Sequence, residues 1–210
     1  MRRTNFTLAA RSITTMSLLS MFVVGCAVSS ATLNAYTEPG FTPSSITRVA
    51  VFPARNAMIA PGQAEALDSA VVQAVKRRST SIVIVTPSEV TNLLNQRGLV
   101  DRWARFLDSY ETGGIPDVSA LKDIGKALGV EAIIQGEIKN VRQVNGVFMS
   151  NTGITFVDVH YFMIDVHSSK LLWQASSDAV RTTSTTVEAA PPVIEAFHLA
   201  EQKILSTLPF

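Results

Sequence analysis

Few side chains in this sequence have the types and spacing that chemistry requires. Asp158 and His160 are two residues apart, which on a β-strand places a carboxylate and an imidazole on one face, a pair that could bind a metal ion or exchange a proton. The other two histidines, His167 and His198, fall in a predicted turn and a distant predicted helix. A zinc or acid–base site needs a third convergent group, so we interpret the pair as the polar end of a sheet face. We predict no catalytic residue, no metal and no cofactor.

Sequence motifs give no other sign of an enzyme. The chain contains no GxSxG, HExxH, P-loop or GxGxxG pattern, and its one cysteine excludes a CxxC motif and a cysteine-based zinc site. Glu137 and Lys139 are also two residues apart and could form an ion pair at a sheet edge or contribute to a binding surface. We interpret them as a solvated pair, since such pairs contribute only about 0–1 kcal/mol.

The single cysteine has the clearest local context in the chain. It ends the tetrapeptide Val23-Val24-Gly25-Cys26, which follows an apolar run over residues 13–24 and a basic start with Arg2, Arg3 and Arg11. This arrangement resembles the bacterial lipoprotein signal, in which a peptidase cuts before the cysteine and the thiol is diacylated. The alternative is an ordinary signal or anchor segment with a buried free thiol. We predict that residues 1–25 are a lipoprotein signal peptide and that Cys26 is the lipidation site.

Lipidation at Cys26 would decide where the protein resides. Acyl chains bind the bilayer stably because each buried CH₂ contributes about 0.8 kcal/mol. By resemblance to the sorting of such lipoproteins, Ala27 at the next position favours the outer membrane, with the protein facing the periplasm. Residues 26–45 are rich in Ser, Thr, Ala and Pro without a period, which predicts a flexible tether with a reach of about 25 Å.

The net charge of the chain indicates which kinds of partner to expect. Removing the three arginines of the first 25 residues from the 18 Lys and Arg leaves 15 basic against 17 acidic residues, a net charge of −2. A nearly neutral chain has no electrostatic reason to bind nucleic acid, and we predict none. The expected partners are the outer membrane, a periplasmic or envelope protein and, as an alternative, further copies of the chain.

The elements that would position these residues centre on the stretch 117–138. Asp117 is a good helix N-cap, and Gly129 can adopt the left-handed conformation that ends a helix before an apolar strand. Around this unit the apolar periodicity predicts the order β-α-β-α-α-α-β-β-β-α over residues 46–210. We predict one periplasmic domain of the α+β class, an α/β sandwich in which helices pack on a mixed sheet of about five strands.

The two tryptophans of the chain are predicted to have different roles. Trp173 lies in a predicted strand and is predicted to be core. Trp103 and Phe106 lie in a helix predicted over residues 99–110. If that helix is partly exposed, these two aromatic residues are the best candidates for a partner surface.

The order of elements resembles a known family. Four features carry the resemblance. The first two are a strand–helix–strand start and the residues Asn92-Leu93-Leu94-Asn95 with Arg97. The other two are the segment Leu128-Gly129-Val130-Glu131-Ala132-Ile133-Ile134-Gln135-Gly136-Glu137-Ile138 and a strand that ends Val166-His167-Ser168-Ser169-Lys170-Leu171-Leu172-Trp173. Over about residues 46–180 this resembles the CsgG/LpoB group of outer-membrane lipoproteins. The resemblance implies a domain similar to anticodon-binding domains, without enzymatic activity. Members of that group form an oligomeric export pore for curli subunits or dock on a peptidoglycan synthase and activate it.

Segment lengths favour the docking members. The pore needs two membrane-spanning hairpins, and each membrane strand takes about 9–11 residues. The corresponding intervals here, residues 140–153 and 180–190, are too short for a full additional hairpin, although extension of the neighbouring strands could supply one. We therefore expect a non-enzymatic adaptor or assembly factor in envelope biogenesis or secretion, with a curli-type secretion channel component as the alternative.

Overall fold

A seven-stranded mixed sheet carries five α-helices on its two faces in the computed structural model, which describes residues 28–55, 58–147, 152–183 and 189–210. The strands are β1 (Ser29–Ala31), β2 (Asn34–Thr37), β3 (Arg48–Val51), β4 (Val83–Val85), β5 (Ala132–Val144), β6 (Ile154–Asp165) and β7 (Leu171–Thr182). The helices are α1 (Pro61–Arg78), α2 (Pro87–Arg97), α3 (Val100–Gly113), α4 (Val118–Leu128) and α5 (Val193–Ser206), with a short 3-10 helix at Pro43–Ser45.

The strand order is β1-β7-β6-β5-β3-β4, and β2 also pairs with β7. β3 runs parallel to β4 and β5, whereas all other pairings are antiparallel. From residue 46 onward the observed order of elements is the predicted one, and the predicted α+β class is confirmed. The sheet has seven strands instead of about five because two additional strands precede residue 46.

Those two strands correct the predicted tether from residue 28 onward. β1 and β2 follow the outer edge of β7, with Ser29 opposite Arg181 and Thr37 opposite Trp173. The link between them is paired as well, since the Thr32 N–H donates to the Asp178 carbonyl at 2.9 Å. An edge strand exposes a row of unpaired backbone groups, and a polar segment without apolar periodicity can still satisfy them.

Local signals place the helix ends as predicted. The Asp117 carboxylate accepts hydrogen bonds from the Ser119 and Ala120 N–H groups, both at 3.0 Å, and α4 ends at Gly129 with φ at 65°. At the start of α2, the Thr86 N–H donates to Glu89 Oε2 at 2.8 Å, one of the two hydrogen bonds of a capping box.

The core has two parts, one on each face of the sheet. α1 and α5 cover one face and bury Trp173, whose predicted core position is confirmed at 0% exposure. α2, α3 and α4 cover the other face around Phe52, Ile133 and Phe162. Below, these are called the α1/α5 face and the α2–α4 face.

On the α2–α4 face, the sheet extends beyond the helices at one end, whereas α5 reaches that end on the other face, where Glu195 pairs with Arg181. β5 continues past an irregularity between Ile138 and Asn140 and reaches Val144, beyond the end of the predicted unit 117–138. β6 and β7 extend with it to Ile154 and Thr182. Strands β5, β6 and β7 therefore extend into the two short intervals, a possibility that segment length alone could not exclude. Within the described ranges no helix is both long and apolar enough to cross a membrane.

Candidate interaction site on the sheet

A polar concavity lies on the α2–α4 face where β5, β6 and β7 leave the helices. Its volume is about 540 Å³. Register places the lining side chains together, because Glu137 pairs with His160 and His160 pairs with Ser176 across three adjacent strands. The wall on the helix side comes from α3, whose last full turn contributes Tyr110 and Glu111.

The most unusual feature of this concavity is a pair of opposed carboxylates. Asp158 on β6 lies directly opposite Asp178 on β7, and both side chains line the cavity. Like charges in directly opposed cross-strand positions destabilise a sheet. Burial raises the pKa of Asp158, and the charge of Asp178 raises it further.

The nearby cations have other partners. Lys139 forms an ion pair with Glu137, and Arg55 pairs with Glu111 and, at 3.3 Å, with Asp108. Within the described residues neither carboxylate of the opposed pair takes part in an ion pair. The concavity is therefore negatively charged and suited to a cationic group.

His160 adds no positive charge at neutral pH. Burial lowers the pKa of the His160 imidazole, and the neighbouring Lys139 lowers it further. Asp158 and His160 do share one strand face as predicted, but the part of the chain that the structure describes holds no group of three or more His, Cys, Asp or Glu able to bind a metal. The other histidines are distant from the concavity, with His167 in the β6–β7 turn and His198 on α5. The arrangement therefore offers electrostatic binding of a cationic group.

The aromatic pair of α3 lies inside the core. Trp103 is 7% exposed and Phe106 is 1% exposed, so neither ring lies on the exposed face of α3, as the partner-surface interpretation required. Their ring centroids lie 4.9 Å apart, and the ring centroid of Phe52 lies 4.2 Å from that of Trp103. Aromatic residues at this spacing pack as a cluster against the sheet.

The remaining predicted site residues lie outside the described ranges. These are the lipidation site Cys26 and the signal residues Val23, Val24 and Gly25, which stay predictions. Sequence reasoning missed Asp178, Glu111 and Tyr110. On β7, buried Ala175, Ser177 and Ala179 alternate with polar residues, and this alternation could have predicted that Asp178 lies on the open face. Only the register between the strands places Asp178 opposite Asp158.

Comparison with known proteins shows that this chain shares its fold with a solved structure. No family model matches the sequence, and no curated protein matches it. The PelC dodecamer from Paraburkholderia phytofirmans is similar with a TM-score of 0.50 at 16% identity, over 84% of this chain and 96% of that chain. Lipoprotein GNA1162 from Neisseria meningitidis has a TM-score of 0.40 at 12% identity, over 66% of this chain and 85% of that chain. The LpoB C-terminal domain from Escherichia coli also has a TM-score of 0.40, at 10% identity, over 66% of this chain and 87% of that chain. The similarity to PelC shows a shared fold, whereas the other two are too weak to support an argument.

Proposed function

We propose that this chain is a lipoprotein of the bacterial outer membrane, anchored through acyl chains on Cys26, that acts without catalysis as an adaptor or assembly factor for a periplasmic protein. The observation that carries the proposal is the pair Asp158 and Asp178, which are directly opposed on an open sheet face. A protein retains such a repulsive pair at a cost in stability, and a cationic group of a partner would offset that cost.

The predicted anchor would bring this face close to the bilayer. Cys26 precedes Ser29 of β1 by three residues, and a fully extended chain spans at most about 3.3–3.6 Å per residue, so β1 would begin within about 10 Å of the anchor. β1 begins opposite Arg181, at the end of the sheet that extends beyond α2, α3 and α4. Exposed valines occur at the same end, with Val28 at 58% and Val144 at 47% exposure. The adaptor would thus act at the membrane surface and not at the end of a long tether.

A charge-reversal pair tests the docking face. The full chain is purified from solubilised envelopes as wild type, as Asp178→Lys and as Asp101→Lys, a matched reversal on α3 away from the concavity. We expect a stoichiometric partner with the wild type and with Asp101→Lys, and loss of that partner with Asp178→Lys. Failure of the wild type to recover any stoichiometric partner would contradict the adaptor function, and retention of the partner by Asp178→Lys would contradict the assignment of the face.

A second candidate function is that of a subunit in an oligomeric secretion assembly. The PelC structure that shares this fold is a dodecamer, and the similarity covers 84% of this chain and 96% of that chain. Electron microscopy of the detergent-solubilised full chain separates the two candidates. Ring-shaped particles with ion conductance in bilayers would support the assembly subunit, whereas a monomer that never forms rings would eliminate it.

A further inference from the structure

An acidic cleft lies between α1 and the start of α2, outside the carboxyl ends of the parallel strands β3 and β4. Pro53, two residues after β3, and Thr86, directly after β4, both belong to its lining. Its volume is about 550 Å³, and no residue lines both this cleft and the polar concavity. Open α/β sheets bind ligands at the carboxyl ends of their strands, in sites of about 300–1,000 Å³. The acidic cleft therefore has the position and the size of a small-molecule site.

One carboxylate oxygen in this lining has no partner. Asp68 on α1 is 8% exposed, and its Oδ1 accepts a hydrogen bond from the Ala54 N–H at 2.8 Å. Its Oδ2 accepts no hydrogen bond from any described residue. Among the described residues, the unpartnered side-chain atoms that are sealed from solvent are Gln135 Oε1, Ser169 Oγ and Arg181 Nε, so Asp68 Oδ2 keeps accessible surface. Because Asp68 lines the acidic cleft, this oxygen is open to a donor bound there.

The charge of the cleft is negative. Glu65 precedes Asp68 by three residues and so lies beside it on the same face of α1, and it forms no ion pair with a described residue. The described residues that line the cleft include no Lys, Arg or His. Burial raises the pKa of Asp68 to about 6, with the Ala54 hydrogen bond opposing the shift and the charge of Glu65 adding to it. At pH 7.5 the cleft thus presents two ionised carboxylates about one helical turn apart.

The start of α2 already holds an anionic group of its own. The Thr86 N–H and the Thr86 hydroxyl both donate to Glu89 Oε2, at 2.8 and 2.7 Å. A helix N-terminus attracts anions, and here Glu89 fills that role. An anionic ligand would meet the charge of Glu89 in addition to those of Asp68 and Glu65. The surroundings of the cleft therefore favour a cationic ligand.

We propose that the acidic cleft binds a short aliphatic diamine, with one ammonium group on Asp68 Oδ2 and the other on Glu65. Two cationic ends match the two carboxylates, and charge-assisted hydrogen bonds are stronger than neutral ones. The methylene chain between the ammonium groups lies against the apolar part of the lining, which is formed by Pro53, Val72 and Pro87. The site goes beyond the proposed adaptor function and does not depend on it, because the cleft and the concavity share no residue.

Titration calorimetry of the full chain in nonionic detergent at pH 7.5 tests the site with three probes of similar length. 1,4-Diaminobutane has two ammonium groups, 1-aminobutane has one and 1,4-butanediol has none. We expect the diamine to bind, the monoamine to bind about fivefold more weakly because it lacks the contact with an exposed carboxylate, and the diol not to bind. Equal affinities for the diamine and the monoamine, binding of the diol, or no binding of the diamine would overturn the proposal.

Two carboxylate substitutions and a matched control locate the bound diamine. Asp68→Asn keeps an oxygen that can accept the Ala54 N–H but removes the charge, and we expect the diamine to bind at least tenfold more weakly to it. Glu65→Gln, at an exposed position, should lower the affinity for the diamine to that for the monoamine. Asp101→Asn removes a carboxylate from the exposed start of α3, outside the cleft, and should bind like the wild type.

The two carboxylate variants keep the proposal open to contradiction even if one of them is unstable. Unchanged binding of the diamine in Asp68→Asn would show that the diamine binds elsewhere, such as in the polar concavity, and would overturn the assignment. If circular dichroism shows that Asp68→Asn does not fold, Glu65→Gln decides the question. Unchanged affinity of Glu65→Gln for the diamine would contradict the proposal as well.

Discussion

The ring of Tyr161 lies directly against the backbone of Gly136 on the neighbouring strand. The two residues are paired in the β5–β6 ladder, and a Cβ atom at position 136 would lie only 2.4 Å from Tyr161 Cε1. Tyr161 is 2% exposed, and its hydroxyl donates to Glu201 Oε1 of α5 at 3.4 Å. This side chain therefore connects the middle of the sheet with the closing helix.

Gly136→Ala should destabilise the protein. The added methyl group would force a fully buried ring to move, and such overpacking typically costs about 1–3 kcal/mol. Gly113→Ala is the control, because a Cβ atom there meets nothing within 4 Å. Denaturant unfolding of both variants measures the difference, and equal midpoints would show that the ring can shift at little cost.

Glu201 should make the protein less stable as pH rises. The carboxyl is 2% exposed, and burial raises its pKa to about 8 from an ordinary 4.5, with Asp68 raising it further and the Tyr161 hydrogen bond opposing the shift. Between those two values the folded state holds a proton that the unfolded state has lost, so the free energy of unfolding falls with rising pH until about pH 8. Asp68 acts in the same direction, but its pKa is raised only to about 6.

Glu201→Gln separates these contributions. One pKa unit corresponds to 1.36 kcal/mol of free energy. We therefore expect the free energy of unfolding of the wild type to fall by about 2 kcal/mol between about pH 6.5 and 8, and that of the variant to fall much less. Urea unfolding at several pH values provides the measurement. Glu195→Gln, at an exposed position of the same helix, should keep the wild-type profile. An unchanged slope in Glu201→Gln would contradict the assignment to Glu201.

Asn34→Pro should release the N-terminal strands from β7. Thr32 and Glu38 both donate their N–H groups to β7 carbonyls. Because the N–H groups of successive residues in a strand point to opposite sides, the Asn34 N–H faces β7 and the Ala35 N–H faces away from it. Proline removes the inward donor at position 34, whereas at position 35 it removes one that faces away from β7. Hydrogen exchange at Ser176, the residue opposite Asn34, should accelerate in Asn34→Pro but not in Ala35→Pro. Equal exchange in both variants would show that this pairing does not protect β7.

Cys26→Ala should prevent acylation and displace the protein from the membrane fraction. The thiol is the predicted acceptor of the acyl chains, and no other cysteine can replace it. Incorporation of radiolabelled palmitate followed by membrane fractionation gives the measurement, with Ala27→Ser as the variant that keeps the thiol. Palmitate in the Cys26→Ala protein would refute the lipidation site.

Local sequence signals were sufficient for the order of elements from residue 46 onward. Asp117 and Gly129 define α4, and Thr86 with Glu89 defines the start of α2, because each forms hydrogen bonds or backbone conformations within a few residues of itself. Apolar periodicity likewise predicted the order of the helices and strands around them. These features depend on neighbours along the chain, which a sequence displays directly.

Only the tertiary structure decided the features that join distant parts of the chain. The N-terminal strands are polar and lack a period, and they fold because β7, about 140 residues later, offers unpaired backbone groups. Asp158 lies opposite Asp178 because of the register between β6 and β7, and a shift of one residue would place the two side chains on different faces. Trp103 lies in the core and not on an exposed surface because Phe52 of a distant segment packs against it. The sequence by itself thus determined which elements form, and contacts between distant residues decided which side chains meet in the candidate sites.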